Sequence, residues 1–366
     1  MAMPQIKLVK RITYLANLFP SEAKPAFGTF VKTSCDGLTG LGWMTDVIAL
    51  PSFGGGVKGY ARFYASAFLS LCRQQQPVYV HYVSHSAPPA ILAKLFNWKL
   101  PIILHYHGSD GFPEVDERSV RRLMKRAVCS VSNSLAAAII APSDSFLERL
   151  RAHYALDGKT TFVSASGGVD ASVFYGDPAS ERAVDLLFAG RMIPGKGGIE
   201  AALAARDVLY TRSDATALFV GTGPERARME EILTDYIPSG RARFLPALPQ
   251  PALADLYREC KVFLFPSSRQ GESLGLTWVE AAMCGALPLV LRNGITENLL
   301  PAQLADTLSA PCPEQLGTKA LAFLDDASAR RLAAGELQSA VAHNYSSEHV
   351  SAALDAFLTQ TFCTTR

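Results

Sequence analysis

Two carboxylates, Glu272 and Glu280, stand eight positions apart in "GESLGLTWVEAAMCGALPLV" (271–290), a stretch otherwise made mostly of small and apolar residues. Acids inside a segment built for an interior either cap the ends of an element or face a ligand. Gly275 permits a turn between them and Gly285 suits a C-terminal cap. Glu272 therefore falls on a loop, and Glu280 in the second turn of a helix from Leu276 to Cys284. The loop's N–H groups and the helix N-terminus form a positive end suited to phosphate. Dipole-compensating caps would show the same spacing, so the pair alone leaves both readings open.

A second stretch supplies cations. In "LLFAGRMIPGKGGIEAALAA" (186–205) a strand ends at Gly190, and Arg191 and Lys196 follow in a glycine-rich connector. Arginine gives a forked contact and lysine a point charge, a combination that fits a diphosphate. No Lys-Ser/Thr pair follows the glycines, which excludes a Walker loop; a solvated basic turn is the plainer alternative. "LFVGTGPERARMEEIL" (218–233) repeats strand, glycines and helix with Gly221 and Gly223, where a tight turn is the default. In the first half, "LHYHGSD" (104–110) puts His105 and His107 on one face of a strand. His105 reads as a core residue. His107, at the strand's mouth beside Gly108 and Asp110, reads as a substrate contact. Gly28, in "KPAFGTFV" (24–31), sits on the connector after the first strand, where backbone can approach a ligand closely.

Residues scattered in this way need a scaffold that gathers strand ends. Buried-strand runs at 11–16, 45–50, 77–83, 101–107 and 137–143 alternate with helical segments such as Phe27–Leu41 and Ala87–Phe96. Runs at 184–190, 215–221, 241–247, 261–267 and 287–291 repeat the pattern, with helices near 197–210, 224–236, 251–259 and 276–284. Alternation of this kind predicts an α/β protein of two doubly wound parallel sheets. "SASGGVDASVF" (164–174) marks the boundary, giving domains 1–167 and 168–345. A capped amphipathic helix then fills the last segment, 346–366, beginning at Ser346 or Ser347.

Composition narrows the class. Nearly half of the 366 residues are apolar, enough for two cores, and no apolar run reaches the length of a membrane-spanning helix. The start "MAMPQIKLVKR" lacks a signal-peptide pattern, and the seven cysteines are odd in number, scattered and without a C-x-x-C pair. These features predict a cytoplasmic protein without a disulfide framework or zinc site. Residues 1–167 hold 18 Lys/Arg against 10 Asp/Glu, whereas 168–366 hold 17 against 23, a split that points to one half facing an anionic partner, with chance scatter over two domains as the plainer alternative. Within it, Arg118, Arg121, Arg122, Lys125 and Arg126 form one cationic stripe on a helix, with Val120, Leu123, Met124 and Ala127 at the other positions. A solvated face explains the stripe; so does contact with anionic lipid headgroups or a phosphate-bearing acceptor. Nucleic acid is disfavoured, because neither interleaved aromatics nor a known module accompanies the cations.

Taken together, "FGTFV", "HGSD", "GGVD…VF", "GR…GKG", "GTGPE" and "ESLGLTWVEAAMCGALP" resemble, in order and approximate position, the family 4 retaining glycosyltransferases of the group 1 type found in bacterial surface polysaccharide synthesis. The resemblance covers almost the whole chain, and its Glu-x7-Glu block is its most specific part. It implies the GT-B fold, two Rossmann-like domains facing a central cleft, with the last helix crossing back to the first domain. It also implies roles. Arg191 and Lys196 would bind the donor diphosphate, with Gly28 near it; Glu280 would hold the ribose hydroxyls and Glu272 the transferred sugar. Ser273, Leu274, Gly275, Leu276 and Thr277 would cradle the distal phosphate and sugar with their amides, and His107 would lie by the sugar on the acceptor side. The reaction implied moves a hexosyl group from a nucleotide-diphosphate sugar to an acceptor hydroxyl, such as a lipid-linked glycan at the inner face of the cytoplasmic membrane. No Asp-x-Asp pair exists in the chain, so no metal and no other cofactor is expected, and protein cations would stabilise the leaving diphosphate. Leu274 and Pro246 depart from the commonest pattern, at positions that bear on the sugar and the base. An inactive nucleotide-sugar-binding subunit, or an epimerase or hydrolase on the same fold, would carry many of the same residues.

Overall fold

The computed structural model describes residues 10–21, 27–50, 56–112, 117–269, 271–294 and 296–363. Residues 24–26 of the first-loop motif and the amino-terminal 1–9 lie outside the described residues. The chain divides into two compact units, 1–168 with 347–366, and 169–346. Gly168 thus falls with the first unit and Ser346 with the second.

Unit 1 contains strands β1 (Arg11–Ala16), β2 (Met44–Ala49), β3 (Val78–His81), β4 (Ile102–His105), β5 (Ala138–Ala141) and β6 (Thr160–Val163). They pair in parallel in the order β2-β1-β3-β4-β5-β6. Its helices are α1 (Thr29–Gly40), α2 (Gly56–Leu71), α3 (Val83–Ser86), α4 (Pro88–Phe96), α5 (Ser119–Leu135) and α6 (Asp144–His153). Strands β3, β4 and β5 are buried end to end, as short apolar runs covered on both faces must be. Side-chain alternation sorts the core into two layers. Val78, Val80, Ile102 and Leu104 pack with residues of α2, α4, α5 and α6. Tyr14, Tyr79, Ile103 and Ile140 pack with α1 and with the last helix of the chain.

Unit 2 contains β7 (Val184–Ala189), β8 (Ala217–Val220), β9 (Ala242–Leu245), β10 (Cys260–Phe265), β11 (Leu287–Leu291) and β12 (Ser309–Ala310), all parallel, in the order β12-β11-β10-β7-β8-β9. Helices α7 (Gly198–Thr211), α8 (Arg226–Ile232), α9 (Gln250–Glu259), α10 (Leu276–Met283), α11 (Ala302–Leu308), α12 (Glu314–Asp325) and α13 (Ala327–Tyr345) complete it. The final helix, α14 (Ser347–Phe362), belongs to unit 1, where Leu354 and Leu358 enter the core and Asp355 accepts from Lys10 Nζ and Trp43 Nε1. Each sheet has one strand beyond the five expected. β6 reads "TTFV" and β12 is two residues long, so neither presents an apolar run.

One arginine stitches unit 2 beneath its functional edge. Arg182 is buried and donates to the carbonyls of Tyr257 at the end of α9, Cys260 at the start of β10, Cys284 after α10, and Asp177. Three carbonyls at the ends of three elements and a fourth in the connector before β7 thus share one guanidinium, a fork that lysine cannot reproduce. Arg182→Met should cost at least ~3 kcal/mol, because the buried acceptors lose their donor. A loss under about 1 kcal/mol in urea unfolding would show that the carbonyls find other partners.

Candidate functional site

Strand order in unit 2 reverses beside β7: β8 and β9 run to one side, β10, β11 and β12 to the other. The crevice at such a reversal, outside the strands' carboxyl ends, is where ligands bind in open α/β sheets. Lys196, on the loop after β7, and Glu272, on the loop after β10, meet there. Lys196 Nζ lies 2.7 Å from Glu272 Oε2, and Ser267 Oγ donates to the same oxygen at 2.8 Å. The loops are tied by backbone as well, Ser268 N–H to the Gly195 carbonyl at 2.9 Å. Asn293, after β11, donates to the Ser267 carbonyl at 2.9 Å and fixes the far side. Arg191 is exposed on the same β7 loop.

The two acids that opened the sequence are both buried, and their surroundings drive them apart. Burial works against a charge on Glu272, but the Lys196 ammonium and the hydrogen bonds from Lys196 and Ser267 outweigh it and hold the carboxyl below its usual range. Glu280, inside α10, has no cation to offset burial, which pushes it up to about 7 against opposing hydrogen bonds from Tyr257 and Gln250. Tyr257 Oη donates to Glu280 Oε2 at 3.4 Å. Two carboxylates with separated pKa values are suited to separate tasks. Between them Gly275, at φ 77°, caps the start of α10. The first N–H groups of that helix, from Leu276 and Thr277, have no acceptor within it. Leu274 is 2 % exposed, and its carbonyl accepts from Trp278 Nε1. Its side chain is turned into the protein, so a ligand would meet this residue through backbone.

The glycines divide between site and scaffold. A Cβ on Gly221 would fall 1.9 Å from the Gly190 carbonyl oxygen, and one on Gly223 2.2 Å from that of Met192. These two glycines let the β8 loop lie directly on the β7 loop. A Cβ on Gly190 itself would make only ordinary contact. Gly28, at φ 73°, has Leu18 backbone 2.7 Å from where its Cβ would be; the expected close approach is to the chain's own first connector.

In unit 1 the strand order reverses between β1 and β3, and three imidazoles gather beside that point. His81 and His105 end β3 and β4 in direct register, and His107 follows. His107 Nδ1 lies 3.1 Å from Ser166 Oγ and its Nε2 2.9 Å from His81 Nδ1. His105 Nδ1 lies 2.6 Å from Tyr79 Oη. Burial pushes all three rings down, His105 to about 3, with neighbouring imidazoles adding to the effect on His81 and His107. The cluster is therefore neutral. One nitrogen from each ring lies within 4.8 Å of the others, the set among the described residues that could hold a metal ion.

Strain concentrates on His107. Tyr82 and Ser166 are the non-glycine residues with positive φ among the described residues, at 59° and 52°. Tyr82 stacks on the His107 ring and Ser166 is hydrogen-bonded to it. Strain of this kind persists where the surroundings over-determine a geometry, commonly at functional positions. Asp110 completes the frame: it is buried, and accepts from His107 N–H and Val83 N–H at 2.9 Å each.

The cationic stripe takes an unexpected orientation. The inward face of α5 is set by Cys129, Ser132 and Asn133. Carried back at 3.6 residues per turn, that face meets Arg118, Arg121 and Lys125. These three line a cavity of about 950 Å³ together with Tyr64, His85 and Glu117. Lys125 is paired with Glu117 at 3.0 Å and Arg121 stands 3.6 Å from it. Of the stripe only Lys125 is half-buried; Arg118, Arg121, Arg122 and Arg126 are all exposed. Val120, Leu123 and Met124 are exposed as well, and Val120 and Met124 line the same cavity as the cations.

Of the residues that sequence reasoning passed over, Ser267, Asn293 and His81 each sit at or just past a strand's carboxyl end, so the rule that found Lys196 could have found them. Tyr82 and Ser166 gave no signal, since a backbone angle leaves no trace in residue type.

Two family models match the chain: "Glycosyltransferase Family 4" over residues 28–171 and "Glycosyl transferases group 1" over residues 177–336. A D-inositol 3-phosphate glycosyltransferase of Frankia alni is 34% identical over 173 residues, covering 38% of this chain and 42% of that protein. A GDP-mannose-dependent monoacylated alpha-(1-6)-phosphatidylinositol monomannoside mannosyltransferase of Corynebacterium glutamicum is 29% identical over 119 residues, 31% of this chain and 30% of that one. The chain thus spans less than half the length of these curated relatives. Among solved structures, sucrose-phosphate synthase of Thermosynechococcus elongatus superposes with a TM-score of 0.73 at 16% identity, covering 97% of this chain and all of that one. Anabaena HepE, in complex with UDP and glucose, gives 0.73 at 16%, covering 96% and 100%. These likenesses show the fold: two Rossmann-like domains of the GT-B type.

The pKa of Glu280 yields a test. The folded protein holds this proton up to about pH 7, whereas the unfolded chain releases it near 4.5. The folded state therefore binds more protons across that window, and stability falls as pH rises through it, by up to about 3 kcal/mol. Glu280→Gln abolishes the titration. The stability of the variant relative to the parent should climb between about pH 5 and about pH 8; a difference that stays flat would mean Glu280 is ionised throughout.

Proposed function

Because the chain belongs to the group 1 glycosyltransferases of family 4, we propose that it is a retaining, metal-independent hexosyltransferase that moves a sugar from a nucleotide-diphosphate donor to an acceptor hydroxyl. The observation that carries this reading is the Lys196–Glu272–Ser267 cluster beside the free amides of α10, at the reversal of strand order in unit 2. Lys196 spends one of its three N–H donors on Glu272 and offers the others to a diphosphate. Arg191 adds a second cation, and Glu280 accepts from the ribose hydroxyls. The anomeric carbon–oxygen bond to the phosphate breaks as the acceptor oxygen bonds to the same face. The acceptor's proton passes to the departing phosphate oxygen. Negative charge grows on the diphosphate in that step, so cations and helix-end amides that are already in place lower the barrier. Neutral His107, held by strained neighbours in unit 1, can hydrogen-bond a ligand there without adding charge. UDP and glucose in the Anabaena relative make uridine-diphosphate sugars the first donors to test.

For the acceptor we propose an anionic, lipid-linked glycan of surface polysaccharide assembly, met at the inner face of the cytoplasmic membrane. The cavity lined by Arg118, Arg121 and Lys125 supports this, as do relatives named for phosphate-bearing acceptors.

Donor turnover across a panel of nucleotide sugars, with product anomers read by NMR, tests the assignment. Lys196→Ala and Glu272→Ala should each lose transfer by about a hundredfold or more while the thermal transition stays cooperative. Near-parental turnover in both would refute the roles given to them, and an inverted product anomer would refute retention.

A further inference from the structure

α4 and α5 pack against each other and against one face of the unit 1 sheet, through Ala90 and Ala93 on the first and Cys129 on the second. Their outward residues therefore share one outer layer. That layer is apolar where a solvated helix surface would be polar: Leu95, Phe96 and Trp98 from the end of α4, and Val120, Leu123 and Met124 from α5, are each between 64 and 74 % exposed. Single exposed apolar residues are ordinary, but a group of three at the end of α4 and another near the start of α5, with exposed Leu92 and Val131 on the same two helices, mark an interaction surface. Cations stand at its rim. Lys99 lies 5.2 Å over the Trp98 ring, and Arg122 and Arg126 are exposed on the flank of α5.

We propose that this surface docks on an anionic lipid bilayer, with Trp98 and Phe96 at the headgroup–acyl boundary and the outward side of α5 lying flat beside them. Two observations favour lipid over a protein partner. The patch combines an aromatic pair with aliphatic residues and a cationic rim, the composition of interfacial membrane segments. The patch also runs into the cationic cavity, since Val120 and Met124 line it alongside Arg118, Arg121 and Lys125. A headgroup that entered the cavity would leave its acyl chains on the patch. This deepens the acceptor reading above by naming the surface that meets the membrane, but its test requires no transfer.

The protein supplies its own probe. Of its three tryptophans, Trp43 and Trp278 are buried, so a change in emission on adding vesicles reports Trp98. With phosphatidylcholine vesicles containing phosphatidylglycerol, the emission should shift to the blue, brominated lipid should quench it, and the protein should float with the vesicles. Pure phosphatidylcholine and high salt should both weaken the effect. Leu95→Glu with Leu123→Glu should reduce partitioning by about tenfold or more and leave the melting temperature unchanged, since both side chains are exposed. Lys196→Ala should float like the parent, so that docking and catalysis fail independently. Absence of flotation and shift with the anionic vesicles overturns the proposal. So does undiminished flotation of the double variant, or a blue shift that follows protein concentration without lipid, which would assign the patch to a second copy of the chain.

Discussion

In a parallel sheet every strand delivers its carboxyl end to the same edge, and the chain must cross over a face to begin again. Where the winding changes direction, two neighbouring loops leave to opposite faces, and a crevice opens between them. Each unit of this protein has one such point, and the residues with chemistry gather at both. In unit 2 the opposed loops carry Lys196 and Glu272, so a cation and an anion from distant parts of the sequence meet within 2.7 Å. In unit 1 the ends of β3 and β4 set His81 and His105 side by side beneath His107. Side-chain chemistry follows winding order, and the packing of the rest serves to hold those edges still.

The two edges are held differently. Around Lys196 the restraint is largely backbone on backbone: Gly221 and Gly223 let two loops touch without intervening side chains, and Ser268 clasps Gly195. Around His107 it is stored strain and buried polarity. Tyr82 and Ser166 carry unfavourable φ angles, and Asp110 ties the exits of two strands through paired amides. The first device fixes a position without introducing charge; the second brings in one, the Asp110 carboxylate, and directs it at two backbone amides. That matters at His107, where burial keeps the imidazoles neutral.

Much of this was legible in the sequence. Apolar runs such as "YVH", "IILH" and "VFLF" announce buried parallel strands, and the glycine-interrupted acids of 271–290 announce a loop and a helix. Three things were not. A sixth strand in each sheet is too short or too polar to stand out. The helical spacing of Arg118 to Arg126 shows two faces but not which one points inward. The structure turns the apolar face to solvent, because Cys129, Ser132 and Asn133, not Leu123 and Met124, pack against the neighbouring elements. Strain at Tyr82 and Ser166 depends on tertiary context and has no counterpart in residue type.

Glu280 has one more consequence. A carboxyl pushed up to about 7 by burial is only part-ionised at neutral pH. Any ligand that donates hydrogen bonds to its charged form must expel the remaining protons as it settles. The heat of such binding would then vary with the ionisation enthalpy of the buffer, and the apparent affinity would strengthen as the medium becomes more alkaline. The capture step would in that sense read the acidity of its surroundings, through a side chain that never touches solvent freely.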